Sequence, residues 1–184
     1  MSDMYGQFYS PALAGNVFIG STAVGGTAFP ISSGTAATFG LWNTNPNANA
    51  VLINLAGGYT SGTIALGTIG LANVYATTVA TGSNITAFTD GVVGTTIRNA
   101  KIGAGLSPTM RFTPSAATVV ANTAAVWTGP SIESATAGLG LFDFNIDLTK
   151  YGLIVPYGQF LFVCGSVAQT GLFTMSLTWA EVPV

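Results

Sequence analysis

Phe173-Thr-Met-Ser-Leu-Thr-Trp-Ala180 alternates four large apolar side chains (Phe173, Met175, Leu177, Trp179) with four small or polar ones (Thr174, Ser176, Thr178, Ala180). A period of two belongs to an extended strand, whose successive side chains point to opposite faces, so this stretch has one apolar face and one small, polar face. Working back, Phe142, Phe144, Ile146 and Leu148 alternate with Asp143, Asn145 and Asp147, the pattern of a strand half buried and half in water. Between the two, Val155-Pro-Tyr-Gly158 supplies a turn, because Pro presets φ and Gly accepts a positive one; the run Phe160 to Val163 starts afresh beyond it. Three strands therefore close the chain.

Further strand candidates are Val17 to Ile19, Ala23 to Phe29, Thr38 to Trp42, Val51 to Leu55, Thr63 to Thr77, Thr95 to Ile102, Thr109 to Thr113 and Ala117 to Trp127, each bounded by Gly, Pro, Asn or Ser. Good helix formers such as Glu, Lys, Arg and Gln are scarce, while Thr, Val, Ile and aromatic residues, which suit a pleated surface, are plentiful. The expected fold is all-β: an antiparallel β-sandwich, jelly-roll-like, with an immunoglobulin-like sandwich as the alternative topology. Residues 17–184 are expected to form a single sandwich domain. Residues 1–16, with Tyr5, Phe8 and Tyr9 among Gly, Ser and Pro, read as an N-terminal arm or a frayed end. From Gly57 to Ala80, apolar residues on both faces suit either a strand covered on two sides or an arm lying on a neighbour.

Composition bounds the function. Charged residues make up 5% of the chain, four Lys+Arg and six Asp+Glu with no His, against about 25% in ordinary soluble domains. A skin this poor in charge is expected to be covered by copies of the chain or by other proteins. The same poverty argues against an enzyme. Without His there is no Ser-His-Asp or Cys-His arrangement and no imidazole base. The lone Cys164 lies in the apolar run Phe160-Leu-Phe-Val-Cys-Gly165 and reads as a small buried hydrophobe; it has no partner within the chain for a disulfide, and a Cys/His zinc site is excluded by count. Only Arg98, Lys101, Arg111 and Lys150 are cationic, so no basic stripe exists for nucleic acid. Apolar runs are too short for a membrane helix, and the N-terminus lacks the pattern of a secretory signal.

The most site-like group is Asp143, Asn145 and Asp147, whose side chains share one strand face at intervals of about 7 Å and make a Ca²⁺ candidate. An EF-hand would require Gly and Glu where Leu148 and Ile154 stand, so a solvated outer face is the competing reading. Asp90, Glu133, Asp143, Asp147 and Glu181 show no pairing motif for glycoside hydrolysis. Trp42, Trp127 and Trp179, with Tyr59, Tyr75, Tyr151 and Tyr157, are candidates for an aromatic platform, although Trp179 and Trp42 both follow apolar alternation and suit a core. Asn84-Ile-Thr86 is a glycosylation sequon with no secretory route implied. No catalytic, cofactor-binding or other metal residue emerges, and no cofactor is expected.

The Gly/Ala/Thr-rich body, the segment Arg111-Phe-Thr-Pro-Ser-Ala-Ala117, the turn Val155-Pro-Tyr-Gly158 before Phe160-Leu-Phe-Val163 and the ending Ser176-Leu-Thr-Trp-Ala-Glu-Val-Pro183 resemble small structural proteins of tailed bacteriophages. The resemblance implies a virion component of the decoration, minor capsid or tail-accessory kind, often a trimeric β-sandwich without catalytic residues. A homo-oligomer, trimer favoured, packed on virion proteins such as the major capsid protein is the expectation, with localisation in the virion. A filament or surface-layer subunit and a carbohydrate-binding receptor module of a phage fibre are the alternatives.

Overall fold

In the computed structural model, which describes residues 11–103, 105–120, 125–132 and 143–184, the C-terminal alternating strand lies at the centre of the first of three antiparallel sheets. β14 (Leu172–Pro183) pairs on one side with β4 (Ala48–Ser61) and on the other with β1 (Val17–Ser21). β11 (Asp143–Asp147) and the two-residue β12 (Ile154–Val155) add to β4, and β7 (Ile97–Asn99) adds to β1, giving the order β11-β4-β14-β1-β7. The second sheet runs β10 (Ala125–Ile132), β5 (Gly67–Tyr75), β13 (Gln159–Gly165), β3 (Gly40–Trp42), β8 (Arg111–Thr113). A third, small sheet orders β2 (Ala36–Ala37), β9 (Ala117–Val119) and β6 (Ile85–Phe88).

The core has two layers of its own. Phe173, Met175, Leu177 and Trp179 all point inward from β14 and meet Leu41, Ile69, Leu71, Leu161 and Val163 of the second sheet. The intervening residues of that same sheet, Trp42, Ala72, Val74, Phe160, Phe162 and Cys164, face the other way and pack with Ala37, Ile85, Ala117 and Val119 of the third sheet. The second sheet is thus covered on both faces, which is why Phe160 to Val163 is apolar at every position instead of alternating. The same cover settles Gly67–Tyr75, where β5 is a buried central strand between β13 and β10.

Strand boundaries depart from the sequence reading where pairing reaches beyond the alternation. β4 runs well past Leu55, through Gly57 and Gly58, because β14 pairs with it nearly end to end. Between Leu52 and Asn54 the register slips against Thr178 and Trp179, so Ile53 is an extra residue and both Leu52 and Leu55 turn inward. Residues 23–29 form no strand; only Thr27 bridges to Phe173. The apolar residues there are used instead by Phe29, wholly buried against the Phe173 ring at 4.6 Å. Ile85–Phe88 and Ile154–Val155 pair without having shown a strand pattern, being too short for one. Ala117 to Trp127 divides into β9 and the start of β10, with 121–124 outside the described residues.

Of the suggested N-terminal arm, residues 1–10 lie outside the described residues. Residues 11–14 form one helical turn, and the Asn16 carbonyl accepts a hydrogen bond from Glu181 N at 2.8 Å, tying this lead to β14. Among the described residues no helix is long and apolar enough to cross a membrane.

Candidate functional site at the acidic sheet edge

β11 is an edge strand whose register against β4 sets Asp143 opposite Gly58, Asn145 opposite Ala56 and Asp147 opposite Asn54. Opposed residues in an antiparallel pair share a face, so all three polar groups stand on the outer face of the first sheet, while Phe144 goes inward. Gly57 makes this possible. A Cβ there would lie 2.6 Å from the Phe144 ring and 2.8 Å from the Thr174 carbonyl, so only glycine lets β11 close down onto β4.

The three groups are brought together as the alternation required, but their oxygens are not equally free. Asn145 Oδ1 accepts from Asn54 Nδ2 at 2.8 Å, which leaves Asn54 Oδ1 buried with no donor. Asp147 caps the 3-10 turn Leu148–Tyr151, accepting from Thr149 N and Thr149 Oγ1, and Lys150 Nζ lies 3.9 Å from its other oxygen. The Thr149 hydroxyl, then the backbone N–H and Lys150, hold the Asp147 carboxyl below the usual carboxylate range. The Asp143 side chain is exposed and, among the described residues, makes neither a hydrogen bond nor an ion pair. No cluster of three metal-ligating His, Cys, Asp or Glu side chains occurs among the described residues.

Facing this edge across a groove of about 550 Å³ is β10, the edge of the second sheet. Its register against β5 slips twice, between Ala125 and Trp127 and between Thr128 and Ser131, so Trp127-Thr-Gly-Pro130 is bulged. Bulges re-aim side chains at sheet edges, and Pro130 has no N–H for a ladder. Here the Trp127 indole lies against Gly129, where an added Cβ would collide with its Cη2 and Cζ3. Tyr151, 53% exposed at the end of the 3-10 turn, meets the indole edge to face at 5.4 Å. Trp127, Tyr151, Asp143, Asp147 and Lys150 thus line one groove.

The other platform candidates divide sharply. Trp42 and Trp179 are 1% and 0% exposed and belong to the two cores. Tyr59 packs on the main core, whereas Tyr75 and Tyr157 are exposed elsewhere. Of the carboxylates, Asp90 takes a bidentate bond from Arg111 (2.7 Å from Nε, 2.6 Å from Nη2), and that guanidinium lies over the Trp42 and Phe88 rings at 4.9 and 4.6 Å. Glu181 is buried and accepts from Thr109 N, Thr109 Oγ1 and Met110 N, with Trp179 Nε1 at 3.4 Å. Glu133 lies outside the described residues. Burial pushes the Cys164 thiol up to about 11, as expected of an inert side chain. Asn84 of the sequon donates its amide to the Tyr75 carbonyl at 2.7 Å.

The sequence reading did not join Trp127 to the acidic strand. The signal was present in Gly129 and Pro130, which inside a strand pattern mark a bulge. No family model, curated protein or solved structure matches this chain.

Proposed function

We propose that this chain is a non-enzymatic structural protein of a virion, a capsid decoration or minor capsid protein that self-associates and packs on neighbours such as the major capsid protein. One observation carries the reading: even the few charges present are mostly consumed by the fold. The 8947 Å² surface is shared among ten charged side chains, about 900 Å² for each. Arg111 and Asp90 neutralise each other, Lys150 faces Asp147, and Glu181 is enclosed. Among the described residues Arg98, Lys101, Asp143 and the enclosed Glu181 have no ionic partner, and of these Arg98, Lys101 and Asp143 are left at the surface. An area of about 800 Å² per partner is that of an ordinary protein contact, so whole interfaces fit between charges.

The uncovered face of the first sheet has the matching texture. Thr174, Ser176 and Thr178 lie beside Gly58, Ala56 and Asn54 on one side, and Ser21 and Ile19 on the other, a central strip of mostly small, uncharged side chains with charge only on the edge strands. Small residues allow close backbone approach, and hydroxyls supply hydrogen bonds. Around β7, Val93, Ile102 (97% exposed) and Leu106 line a second apolar surface. The nested order of eight strands, 11-4-14-1 in one sheet and 10-5-13-3 in the other, supports the jelly-roll version of the sandwich, a fold used by viral shells.

Closed assembly is favoured over an open filament built by strand addition. β7 and β8 are three residues long, β10 is bulged and carries Pro130, and β11 carries Asp143 and Asp147, all devices that blunt sheet edges. Sedimentation of the purified chain should show a discrete oligomer, a trimer in the favoured version, changing little between low and high salt because few charges are involved. A monomer at every concentration would sink the assembly reading, and open polymers would favour the filament. Imaging an intact particle that contains the chain tests the virion position.

A further inference from the structure

The molecule holds two sets of the same groups, one complete and one lacking its cation. In the complete set, the Arg111 guanidinium lies over two aromatic rings, Trp42 and Phe88, and is gripped by the Asp90 carboxylate. In the other, Trp127 and Tyr151 stand edge to face in one groove with Asp143, whose side chain has no partner among the described residues. Lys150 does not fill it, being turned to Asp147. A planar cation over an aromatic face with a carboxylate at its edge combines ring-quadrupole attraction with charge-assisted hydrogen bonds, and arginine suits both.

Among the described residues one guanidinium has no partner. Arg98 is exposed on β7, and no hydrogen bond or ion pair engages its side chain among the described residues. Its register places it opposite Ile19, which pairs with Thr178, then Asn54, then Asp147, so Arg98 and the acidic strand end one row across the same outer face. They are four strand spacings apart, roughly 19 Å. No arginine side chain spans that, so Arg98 cannot reach the groove of its own chain.

We propose that the groove lined by Trp127, Tyr151 and Asp143 is the docking site for Arg98 of a second copy of this chain. This rests on the assembly reading and names its contact. Each copy offers the cation at one edge of the first sheet and the acceptor at the other, so it gives and receives at once, as a cyclic oligomer requires. Apolar cover comes from the same side as the cation: Val93, Ile102 and Leu106 line one surface with Arg98 and Lys101. Arginine, tryptophan and tyrosine surrounded by near-neutral contacts is the composition of an interface hot spot.

The test is a concentration series in the analytical ultracentrifuge on the wild-type chain, Arg98→Glu, Asp143→Arg, the double variant Arg98→Glu/Asp143→Arg, and Gly129→Ala, which lifts the indole off the strand. Each single charge reversal should raise the dissociation constant by at least roughly tenfold, with unchanged melting temperature of the dissociated chain. The double variant should recover most of the loss by restoring the pair in reverse. Dissociation should also shift the emission of Trp127, the one tryptophan not buried. Oligomers that survive both reversals would overturn the contact while leaving assembly standing; a wild-type monomer would remove both. Quenching of Trp127 by neutral methyl glycosides, equal in wild type and Arg98→Glu, would assign the groove to a sugar ring and also overturn the proposal.

Discussion

Two aromatic clusters face opposite fates in this fold. At one, Trp42 and Phe88 are roofed by Arg111, which Asp90 holds in place; Trp42 also donates its indole N–H to the Ala76 carbonyl at 2.9 Å, and its ring belongs to the core between the second and third sheets. At the other, Trp127 and Tyr151 share a groove with Asp143 and have no cation over them among the described residues. The difference follows from strand position. Trp42 sits on β3, flanked by β13 and β8 and covered by the third sheet, so a cation from the adjacent strand is delivered to it by register. Trp127 sits on an edge strand, where no further strand among the described residues supplies a partner. An edge leaves incomplete what an interior position completes, which is why Asp143 and Arg98, on the two edge strands of the first sheet, are left without ionic partners among the described residues.

The comparison breaks most visibly through the tryptophans. Trp42→Ala should lower stability by about 3–5 kcal/mol, since it empties a core site and orphans a carbonyl, whereas Trp127→Ala, at a half-buried edge position packed on the rim of the main core, should cost about 1–2 kcal/mol in urea titrations of the dissociated chain. Equal losses would mean that Trp127 is a core residue and the groove merely its outer rim. The carboxylates give the next contrast. Glu181→Ala strips acceptors from Thr109 N and Met110 N together, and a cost of about 2 kcal/mol is expected for leaving buried donors unmet; Asp143→Asn should fall within about 0.5 kcal/mol, as for other surface changes. Arg111→Ala should cost about 1 kcal/mol through loss of the ring contact and the bidentate pair, while Arg98→Ala leaves the melting temperature of the dissociated chain unchanged.

The smallest effect concerns pH. Asp147 has its carboxyl held below the ordinary value of 3.8, so its cap on the 3-10 turn contributes fully above that value and is lost as pH falls through the lower, folded-state one. Hydrogen exchange at Thr149 N should therefore quicken only in that acid range. Asp147→Asn, which can still accept at the turn but carries no charge, should flatten the response. A response centred above the ordinary carboxylate range would mean that Asp147 is instead destabilised in the fold.

The local alternation of Phe173 to Ala180 and of Phe144 to Leu148 was legible because a strand's period is a property of neighbouring residues, independent of what the strand later pairs with. Tyr151 and Trp127, by contrast, meet only because the 3-10 turn after β11 and the bulge of β10 end up on adjacent margins of different sheets; Gly129 and Pro130 mark the bulge locally, but nothing in either neighbourhood names its partner. The third sheet was hidden for a similar reason: β2, β6 and β9 are two to four residues long, shorter than any readable period, and exist only because the outward face of the second sheet needs cover.

The chain's own composition settled that its surface would be poor in charge and without imidazole chemistry, since counts of residue types survive any folding. It also settled that the fold would be strands, because both the scarcity of helix formers and the period of two are local. Which charges would be spent inside was a tertiary decision. Arg111 finds Asp90, Thr109 finds Glu181 and Asn43 Nδ2 finds the Val155 carbonyl 112 positions away only once the sheets have wrapped. Pairing across such distances is set by sheet order and register, and these are fixed collectively by the core.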